Sequence, residues 1–298
     1  MSDKLRVGMI GVGLMGHGMA KNIVTKGYPL TVMAHRNRKP VENLLSLGAR
    51  EAKSPKEIAA ASDLVILCVT GTPEVEATVY GEEGLLGAVR EGLIIADCST
   101  AVPQSTVKIA ADVAAKGGHY VDTPLTRTPK EAEAGKLGVM TGGDRAVLDR
   151  IRPVIECFAD TIVHAGPVGA AHTLKLINNF IGLGNAMVAA EAIVAAKHAG
   201  VAMEALRDIV LGGGARSLMF ERIIKVPLEN DDSAAQFAIR NARKDLRYYT
   251  NMTGELPVTS FMAEAVHQTL VLADNLGFGD RFVPRLVDAL EKANGGKK

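Results

Sequence analysis

Three glycines near the amino terminus have the spacing of a nucleotide-binding loop. The segment Gly11-Val-Gly13-Leu14-Met15-Gly16 follows an apolar run and opens a helical pattern. In such a loop the first glycine permits a tight turn, the second lets a pyrophosphate approach the backbone, and the third lets helix and strand pack closely. The pyrophosphate then lies at the amino end of the helix, which favours an anion. The spacing therefore predicts that residues 11–16 bind a dinucleotide.

Basic and polar side chains follow the second predicted strand. His35, Arg36, Asn37 and Arg38 come after it, and no acidic residue occurs from residue 17 to residue 41. An NAD site usually places a carboxylate near here to bind the ribose 2′-hydroxyl, whereas a guanidinium suits a 2′-phosphate. The pattern favours NADP(H) over NAD(H), and a solvated basic turn is the alternative interpretation.

Hydroxyl groups follow another strand, in Asp97-Cys-Ser99-Thr100. Side chains at this end of a strand can point into the ligand crevice of an open sheet, and they can equally cap the next helix. Further on, Lys175 and Asn179 share one face of a predicted helix, with Asn178 one step round. A buried lysine can exchange a proton with a reacting oxygen, and a solvated lysine is an equally good interpretation of the pattern alone.

Apolar runs and helical patterns alternate in the first half of the chain. The predicted strands are Leu5–Ile10, Leu30–Ala34, Leu64–Val69, Leu93–Asp97, Tyr120–Asp122, Gly138–Thr141 and Thr161–His164. The helical segments between them include Gly16–Thr25, Val41–Leu47, Pro55–Ala60 and Ser105–Lys116. This alternation is typical of an α/β fold with a parallel, doubly wound sheet covered on both faces.

Helical patterns replace the strand signals after about residue 166. The change predicts two domains, a nucleotide-binding domain over residues 1–167 and an all-helical domain over residues 168–298. The long helical pattern Ala170–Gly200 begins the second domain. Ile181–Val201 is apolar enough to resemble a membrane span, but it carries Glu191 and Lys197, which are costly in hydrocarbon. We interpret it as a buried helix and expect no membrane association.

Composition excludes several classes of protein. The 298 residues include 34 basic and 33 acidic side chains, 47% apolar residues and no Trp, so the chain is neither disordered nor basic enough to predict nucleic-acid binding. Three widely spaced cysteines, Cys68, Cys98 and Cys157, predict reduced thiols and a cytoplasmic chain. No apolar signal region opens the sequence, and no residue pattern predicts a metal site.

Taken together, these motifs resemble the β-hydroxyacid dehydrogenases, which include 3-hydroxyisobutyrate dehydrogenase and semialdehyde reductases. The resemblance runs from residue 5 to about residue 290. It is carried in order by the glycine loop with Met19-Ala-Lys-Asn22, by Asp97 to Pro103, by Asp122-Thr-Pro124, by Lys175 with Asn178-Asn179, and by Lys244-Asp245-Leu246. It implies a Rossmann-type domain joined by a long interdomain helix to an all-helical domain, in a homodimer or homotetramer.

The resemblance also implies roles for single residues. Lys175 would be the general acid in carbonyl reduction and the general base in alcohol oxidation, and Asn179, with help from Asn178, would orient the substrate. Thr100 would lie beside the nicotinamide and Lys244 would reach the cofactor from the helical domain. We also expect Val69 and Thr70 to contact the cofactor.

One loop departs from the family pattern Asp-Ala-Pro-Val-Ser-Gly-Gly. Here Thr126 keeps a hydroxyl, but Arg127 and Thr128 replace the two glycines. A guanidinium in this loop could bind a carboxylate or sulfonate of a small anionic substrate, and the loop is similar to that of sulfolactaldehyde reductases. Arg127 could instead point outward and only close the loop. Imine reductases typically lack a lysine at position 175, and a catalytically silent NADPH-binding module would not need one.

Overall fold

A computed structural model describes residues 4–35 and 37–295 of the chain. Within these residues two compact units divide between Lys175 and Leu176. The division falls inside a long helix, C-terminal to the predicted boundary at residues 167/168.

The first unit is built on a sheet of nine strands. They are β1 (Val7–Ile10), β2 (Leu30–Val32), β3 (Arg50–Glu51), β4 (Leu64–Leu67), β5 (Ile94–Asp97), β6 (His119–Asp122), β7 (Leu125–Thr126), β8 (Leu137–Gly142) and β9 (Ala159–Gly166). Their order is β3-β2-β1-β4-β5-β6-β8-β7, and β9 pairs with β8. From β3 to β6 all neighbours are parallel. All residues of β1, β4 and β5 are buried, as expected of strands covered on both faces.

Helices cover both faces of this sheet. The helices of the first unit are α1 (Gly16–Thr25), α2 (Lys39–Ser46), α3 (Pro55–Ala61), α4 (Thr72–Tyr80), α5 (Pro103–Ala114), α6 (Pro129–Glu133) and α7 (Arg145–Ile155), with a 3₁₀ turn at Leu85–Ala88. Along β4, Leu64 and Ile66 belong to one apolar cluster and Val65 and Leu67 to another. Because side chains alternate along a strand, the two clusters lie on opposite faces of the sheet. The predicted α/β fold class is therefore confirmed.

The sheet is not parallel throughout, which corrects the sequence-based expectation. β8 runs antiparallel to both β6 and β7, and β9 then runs parallel to β8. Only residues 127–136 connect β7 to β8, and a parallel crossover needs a dozen or more residues. A longer connection that contains α7 links β8 to β9, and this pair is parallel.

The second unit is helical. A long helix, α8 (Ala170–His198), begins in the first unit and continues into the second. It is followed by α9 (Met203–Leu211), α10 (Leu218–Ile223), α11 (Lys225–Glu229), α12 (Ile239–Glu255), α13 (Phe261–Ala273) and α14 (Leu286–Ala293), with 3₁₀ turns at Ser233–Ala235 and Val283–Arg285 and a π-helical segment at Asp274–Phe278. Fully buried apolar side chains from several of these helices form its core, among them Ile193, Leu246, Leu270 and Leu286.

One helix among the described residues, α8, is long and apolar enough to cross a membrane when judged by length and composition alone. Core helices of proteins that never enter a membrane pass the same test. A single helix of this kind is therefore weak support for membrane insertion.

Candidate active site

The predicted cofactor residues of the first unit follow the carboxyl ends of four neighbouring parallel strands. These strands lie in the order β2-β1-β4-β5, so their carboxyl ends meet at one edge of the sheet. The described candidates that follow this edge are Gly11, Gly13, Leu14, Met15, Gly16, His35, Asn37, Arg38, Val69, Thr70 and Thr100. Arg36 lies outside the described residues. Ligands of open α/β sheets bind at this edge, outside the carboxyl ends of the strands.

The glycine loop leaves its backbone open. A Cβ atom at Gly13 would meet no atom within 4 Å, whereas one at Gly16 would lie 1.9 Å from the carbonyl oxygen of Gly11. Gly11 has a φ of +95°, and a Cβ there would lie 2.2 Å from the carbonyl oxygen of Cys68. Met15 occupies the N-cap position of α1, and its side chain has no oxygen that could accept a hydrogen bond from the first N–H groups of the helix. The loop thus offers an uncovered helix amino end, which fits the pyrophosphate of a dinucleotide.

These contacts separate two glycines that look alike in the sequence. We expect Gly16→Ala to lower the free energy of unfolding by about 1–3 kcal/mol, because its methyl group would collide with backbone. We expect Gly13→Ala to change stability by less than about 1 kcal/mol and to weaken NADPH binding, because its methyl group would project where the pyrophosphate approaches. Urea denaturation and NADPH fluorescence titration measure the two effects. Unchanged NADPH affinity in Gly13→Ala would show that this backbone does not face the cofactor.

A buried carboxylate, Asp97, ties together the loops that follow β4 and β5. Its Oδ1 accepts a hydrogen bond from the backbone N–H of Ser99 at 2.9 Å, and its Oδ2 accepts one from the hydroxyl of Tyr120 at 2.8 Å. The Ser99 hydroxyl in turn accepts a hydrogen bond from the backbone N–H of Val69 at 3.0 Å. Burial, reinforced by Asp97, raises the pKa of Tyr120, so this phenol remains a donor at neutral pH. The network fixes the backbone beside Thr100.

A second buried carboxylate, Asp122, holds the start of α8. Its two oxygens accept hydrogen bonds from the backbone N–H groups of Gly169 and His172, both at 2.9 Å. The imidazole of His172 is fully buried; its Nδ1 lies 2.7 Å from the hydroxyl of Thr106 and its Nε2 lies 3.9 Å from Asp97. These contacts fix the first turn of the helix that carries Lys175.

Lys175 lies at the same edge of the sheet as the glycine loop. Its Nζ donates a hydrogen bond to the carbonyl oxygen of Leu125 at 2.6 Å. Its positive charge also acts on Cys68, which directly follows β4. Burial and Asp97 outweigh that charge and raise the pKa of Cys68 to about 12, so this thiol stays protonated at neutral pH. Between these two groups, the ammonium of Lys175 is the one better suited to donating a proton.

In the loop that departs from the family pattern, the side chains of Arg127 and Thr128 are hydrogen-bonded to other residues of the protein. Arg127 keeps a glycine-like backbone conformation, with a φ of +77°. Its guanidinium pairs with Asp160 at 2.7 Å, donates to Thr161 at 3.1 Å and also donates to the carbonyl oxygen of Lys136. Thr128 forms a capping box with Glu131 at the start of α6.

Thr126, the third residue of this loop singled out by the sequence, pairs with Gly138 between β7 and β8. A Cβ atom added at Gly138 would lie only 2.5 Å from the hydroxyl oxygen of Thr126, so the glycine makes room for this hydroxyl. The substrate roles of Thr126, Arg127 and Thr128 remain predictions. For Arg127 and Thr128, a substrate anion would have to compete with the partners that hold them.

In the helical unit a third buried carboxylate organises the predicted polar residues. Asp245 is 2% exposed and accepts hydrogen bonds from Lys244 at 2.6 Å and from the Asn179 amide at 2.7 Å. Asn178 donates to the amide oxygen of Asn179 at 3.3 Å, and the ammonium of Lys244 lies 4.7 Å from the centre of the Tyr248 ring. Sequence reasoning gave Asp245 no role. The sequence signal that could have identified it is its place on α12, where it lies between the buried residues Ala242 and Leu246.

No group of three or more His, Cys, Asp or Glu side chains that could hold a metal ion occurs among residues 4–35 and 37–295.

Two family models together cover nearly the whole chain. One, described as the NAD binding domain of 6-phosphogluconate dehydrogenase, matches residues 6–166. The other, described as NAD-binding of NADP-dependent 3-hydroxyisobutyrate dehydrogenase, matches residues 169–289. The chain belongs to the β-hydroxyacid dehydrogenase family.

Relatives within the β-hydroxyacid dehydrogenases support this assignment. The chain is 34% identical over 247 residues to 2-(hydroxymethyl)glutarate dehydrogenase of Eubacterium barkeri, which covers 83% of this chain and 81% of the relative. It is 35% identical over 218 residues to 2-hydroxy-3-oxopropionate reductase of Escherichia coli K12. That match covers 73% of this chain and 74% of the relative. The structure of Mycobacterium tuberculosis 3-hydroxyisobutyrate dehydrogenase has the same fold, with a TM-score of 0.87, 24% identity and coverage of 96% and 99%.

As a β-hydroxyacid dehydrogenase, the chain is an NAD(P)-dependent oxidoreductase that acts on CH–OH groups. Both relatives are named as a dehydrogenase or a reductase of a hydroxy or oxo acid. The family, the enzyme class and the nicotinamide cofactor predicted from the sequence are thereby confirmed at this level.

Proposed function

We propose that the chain is an NADP(H)-dependent enzyme that interconverts a small anionic 3-hydroxyacid and its semialdehyde. The observation that carries the proposal is the position of Lys175. Its ammonium group is held by the Leu125 carbonyl at 2.6 Å, at the sheet edge where the glycine loop lies. A proton donor beside a nicotinamide site is what carbonyl reduction requires.

Lys175 moves the proton in this reaction. When bound, the cofactor supplies a hydride to the carbonyl carbon, or accepts one from the carbon that bears the hydroxyl. Lys175 gives a proton from Nζ to the substrate oxygen during reduction and takes it back during oxidation. The Leu125 carbonyl holds one N–H of the ammonium group. This hydrogen bond fixes the position of Nζ from which the proton is transferred.

The preference for NADP(H) is supported by the residues after β2. Arg36 and Arg38 supply positive charge, and the stretch carries no carboxylate to bind a ribose 2′-hydroxyl. Arg38 is about half exposed and pairs with Glu51 through two bonds of 3.0 Å. A 2′-phosphate at this position would add to or replace that pairing, since guanidinium binds phosphate in the same forked geometry. The second family model is also described as that of an NADP-dependent enzyme.

A sulfonated three-carbon substrate, as in sulfolactaldehyde reductase, is the second candidate. It is favoured by the pair Arg127-Thr128 in the loop after β7, where a forked guanidinium could bind three equivalent oxygens. Arg127 would need to release Asp160 to do so. A carboxylate substrate has no such requirement if Asn178 and Asn179 orient it, and we therefore place it first.

We also propose that the enzyme is cytoplasmic and forms a homodimer or a homotetramer. Ile181 and Val188 on α8 are 58% and 61% exposed, and such apolar side chains on one helix suit burial between subunits.

Oxidation of NADPH and of NADH against a panel of aldehyde acids tests the proposed function. The panel contains glyoxylate, succinic semialdehyde, methylmalonate semialdehyde and sulfolactaldehyde. We expect a higher kcat/KM with NADPH and one of the three carboxylates as the preferred substrate. Faster turnover with NADH would contradict the interpretation of Arg36 and Arg38, and a preference for sulfolactaldehyde would select the second candidate. Tight NADPH binding without any turnover would instead indicate a silent cofactor-binding module.

A further inference from the structure

A groove between α12 and α13 concentrates positive charge in the helical unit. Its volume is about 430 Å³, and it is lined by Arg240, Arg243, Lys244, Arg247, Tyr248, His267, Val271 and Asp274. The residues from α12 are spaced by three or four along the helix and so share one face, and the residues from α13 and its end are spaced in the same way. The groove is therefore a continuous surface made by two facing helices.

Most of the cations in this groove already have an anionic partner. Arg240 pairs with Asp280 at 2.7 Å, Arg243 with Asp274 at 2.6 Å, and Lys244 with Asp245 at 2.6 Å. Arg247 differs, since its guanidinium has neither a hydrogen bond nor an ion pair within the part of the chain that the structure describes. The groove therefore retains one uncompensated positive charge, with three paired cations beside it.

A buried imidazole without a partner lines the same groove. His267 is 3% exposed, and its Nδ1 has no hydrogen-bond partner among the described residues. Buried ring nitrogens are normally paired, so an orphaned one that lines a groove is suited to a polar group bound there. Burial and the charge of Arg247 lower the pKa of His267, against an opposing effect of Glu264. The neutral ring can still donate a hydrogen bond from Nδ1.

We propose that this groove binds the phosphate or carboxylate group of a small anionic molecule. The oxygens of such a group would accept hydrogen bonds from the guanidinium of Arg247 and from Nδ1 of His267, the two donors that lack partners. The volume of the groove exceeds that of one such group, so the molecule would extend along Tyr248 and Val271. The groove shares Lys244 with the residues expected to reach the cofactor, but its two proposed ligands, Arg247 and His267, are not among the residues assigned to cofactor or substrate.

Calorimetric titration of the full chain with inorganic phosphate and with malonate tests this proposal. The titrations are made in the presence of saturating NADPH, so that the cofactor site is filled. We expect one of the two anions to bind, and Arg247→Gln to weaken its binding roughly tenfold or more, the loss expected for one charge-assisted hydrogen bond. Arg150→Gln, which removes an exposed guanidinium from α7 of the first unit, is the matched control and should bind like the wild type.

The two anions identify the source of the ligand. Tighter binding of phosphate selects a phosphorylated molecule, and tighter binding of malonate selects a carboxylic acid. The proposal is overturned if neither anion binds, if Arg247→Gln binds as tightly as the wild type, or if NADPH abolishes the binding. That last result would assign these cations to the cofactor site. Because turnover is not measured, the outcome is independent of the proposed function.

Discussion

Replacing Lys175 by alanine is expected to lower kcat by roughly 10²- to 10⁴-fold, the usual contribution of a positioned general acid or base. The ammonium group of Lys175, the proposed proton donor, lies at the carboxyl edge of the sheet and is held at 2.6 Å by the Leu125 carbonyl. The neighbouring thiol of Cys68 has a pKa of about 12 and cannot replace it as an acid–base group near neutral pH. Water would then have to supply the proton.

Steady-state kinetics with the preferred aldehyde acid and NADPH measure this effect. Affinity for NADPH, from fluorescence titration, should stay close to the wild-type value, because the pyrophosphate is expected to bind at the glycine loop and not at Lys175. Lys116→Ala, which removes an exposed ammonium group from the first unit, should retain full activity. Turnover within a few-fold of the wild type would remove Lys175 from the mechanism.

The fold is readable where local pattern and burial agree. α1 was predicted as Gly16–Thr25 and has those bounds, because the glycine loop fixes its start. β4 was found from its apolar run, since a strand buried on both faces is apolar at every position. The strands β3 and β7 have two residues each and were missed, because so short a segment shows no periodicity. The antiparallel direction of β8 depends on pairing with β6 and β7, which no local pattern records.

The sequence identified the candidate site residues by their types, but it could not predict which residues they contact. Lys175 could not be told from a solvated lysine until the resemblance to a family was added, because its hydrogen bond to Leu125 spans 50 residues of sequence. Arg127 pairs with Asp160, which is 33 residues away on β9, so this partner could not be predicted from the local sequence either. The three buried carboxylates, two in the first unit and one in the helical unit, were part of the quoted motifs. Their roles became clear only when the structure showed which N–H, O–H and ammonium groups they accept from.

Replacing Asp122 by alanine is expected to lower the free energy of unfolding by about 2–6 kcal/mol, because it leaves two buried N–H groups without an acceptor, each at a cost of about 1–3 kcal/mol. The side chain is fully buried, and its two oxygens accept the N–H groups of Gly169 and His172 at the start of α8. No water can easily replace the carboxylate at a site with this burial. Urea denaturation of the purified chain measures the loss.

Asp144 provides a matched control for this prediction. Its side chain is exposed and accepts hydrogen bonds from the N–H groups of Ala146 and Val147 at the start of α7, so Asp144→Ala should cost only about 0.5–2 kcal/mol, as for an ordinary helix cap.

Asp122→Ala should also lower kcat under conditions in which the variant is folded, since α8 carries Lys175 one turn beyond His172. Affinity for NADPH should change much less. Equal destabilisation by the two variants would show that burial does not set the strength of the Asp122 cap. Unchanged kcat would show that Lys175 is positioned by the Leu125 carbonyl and the packing of α8 without help from this carboxylate.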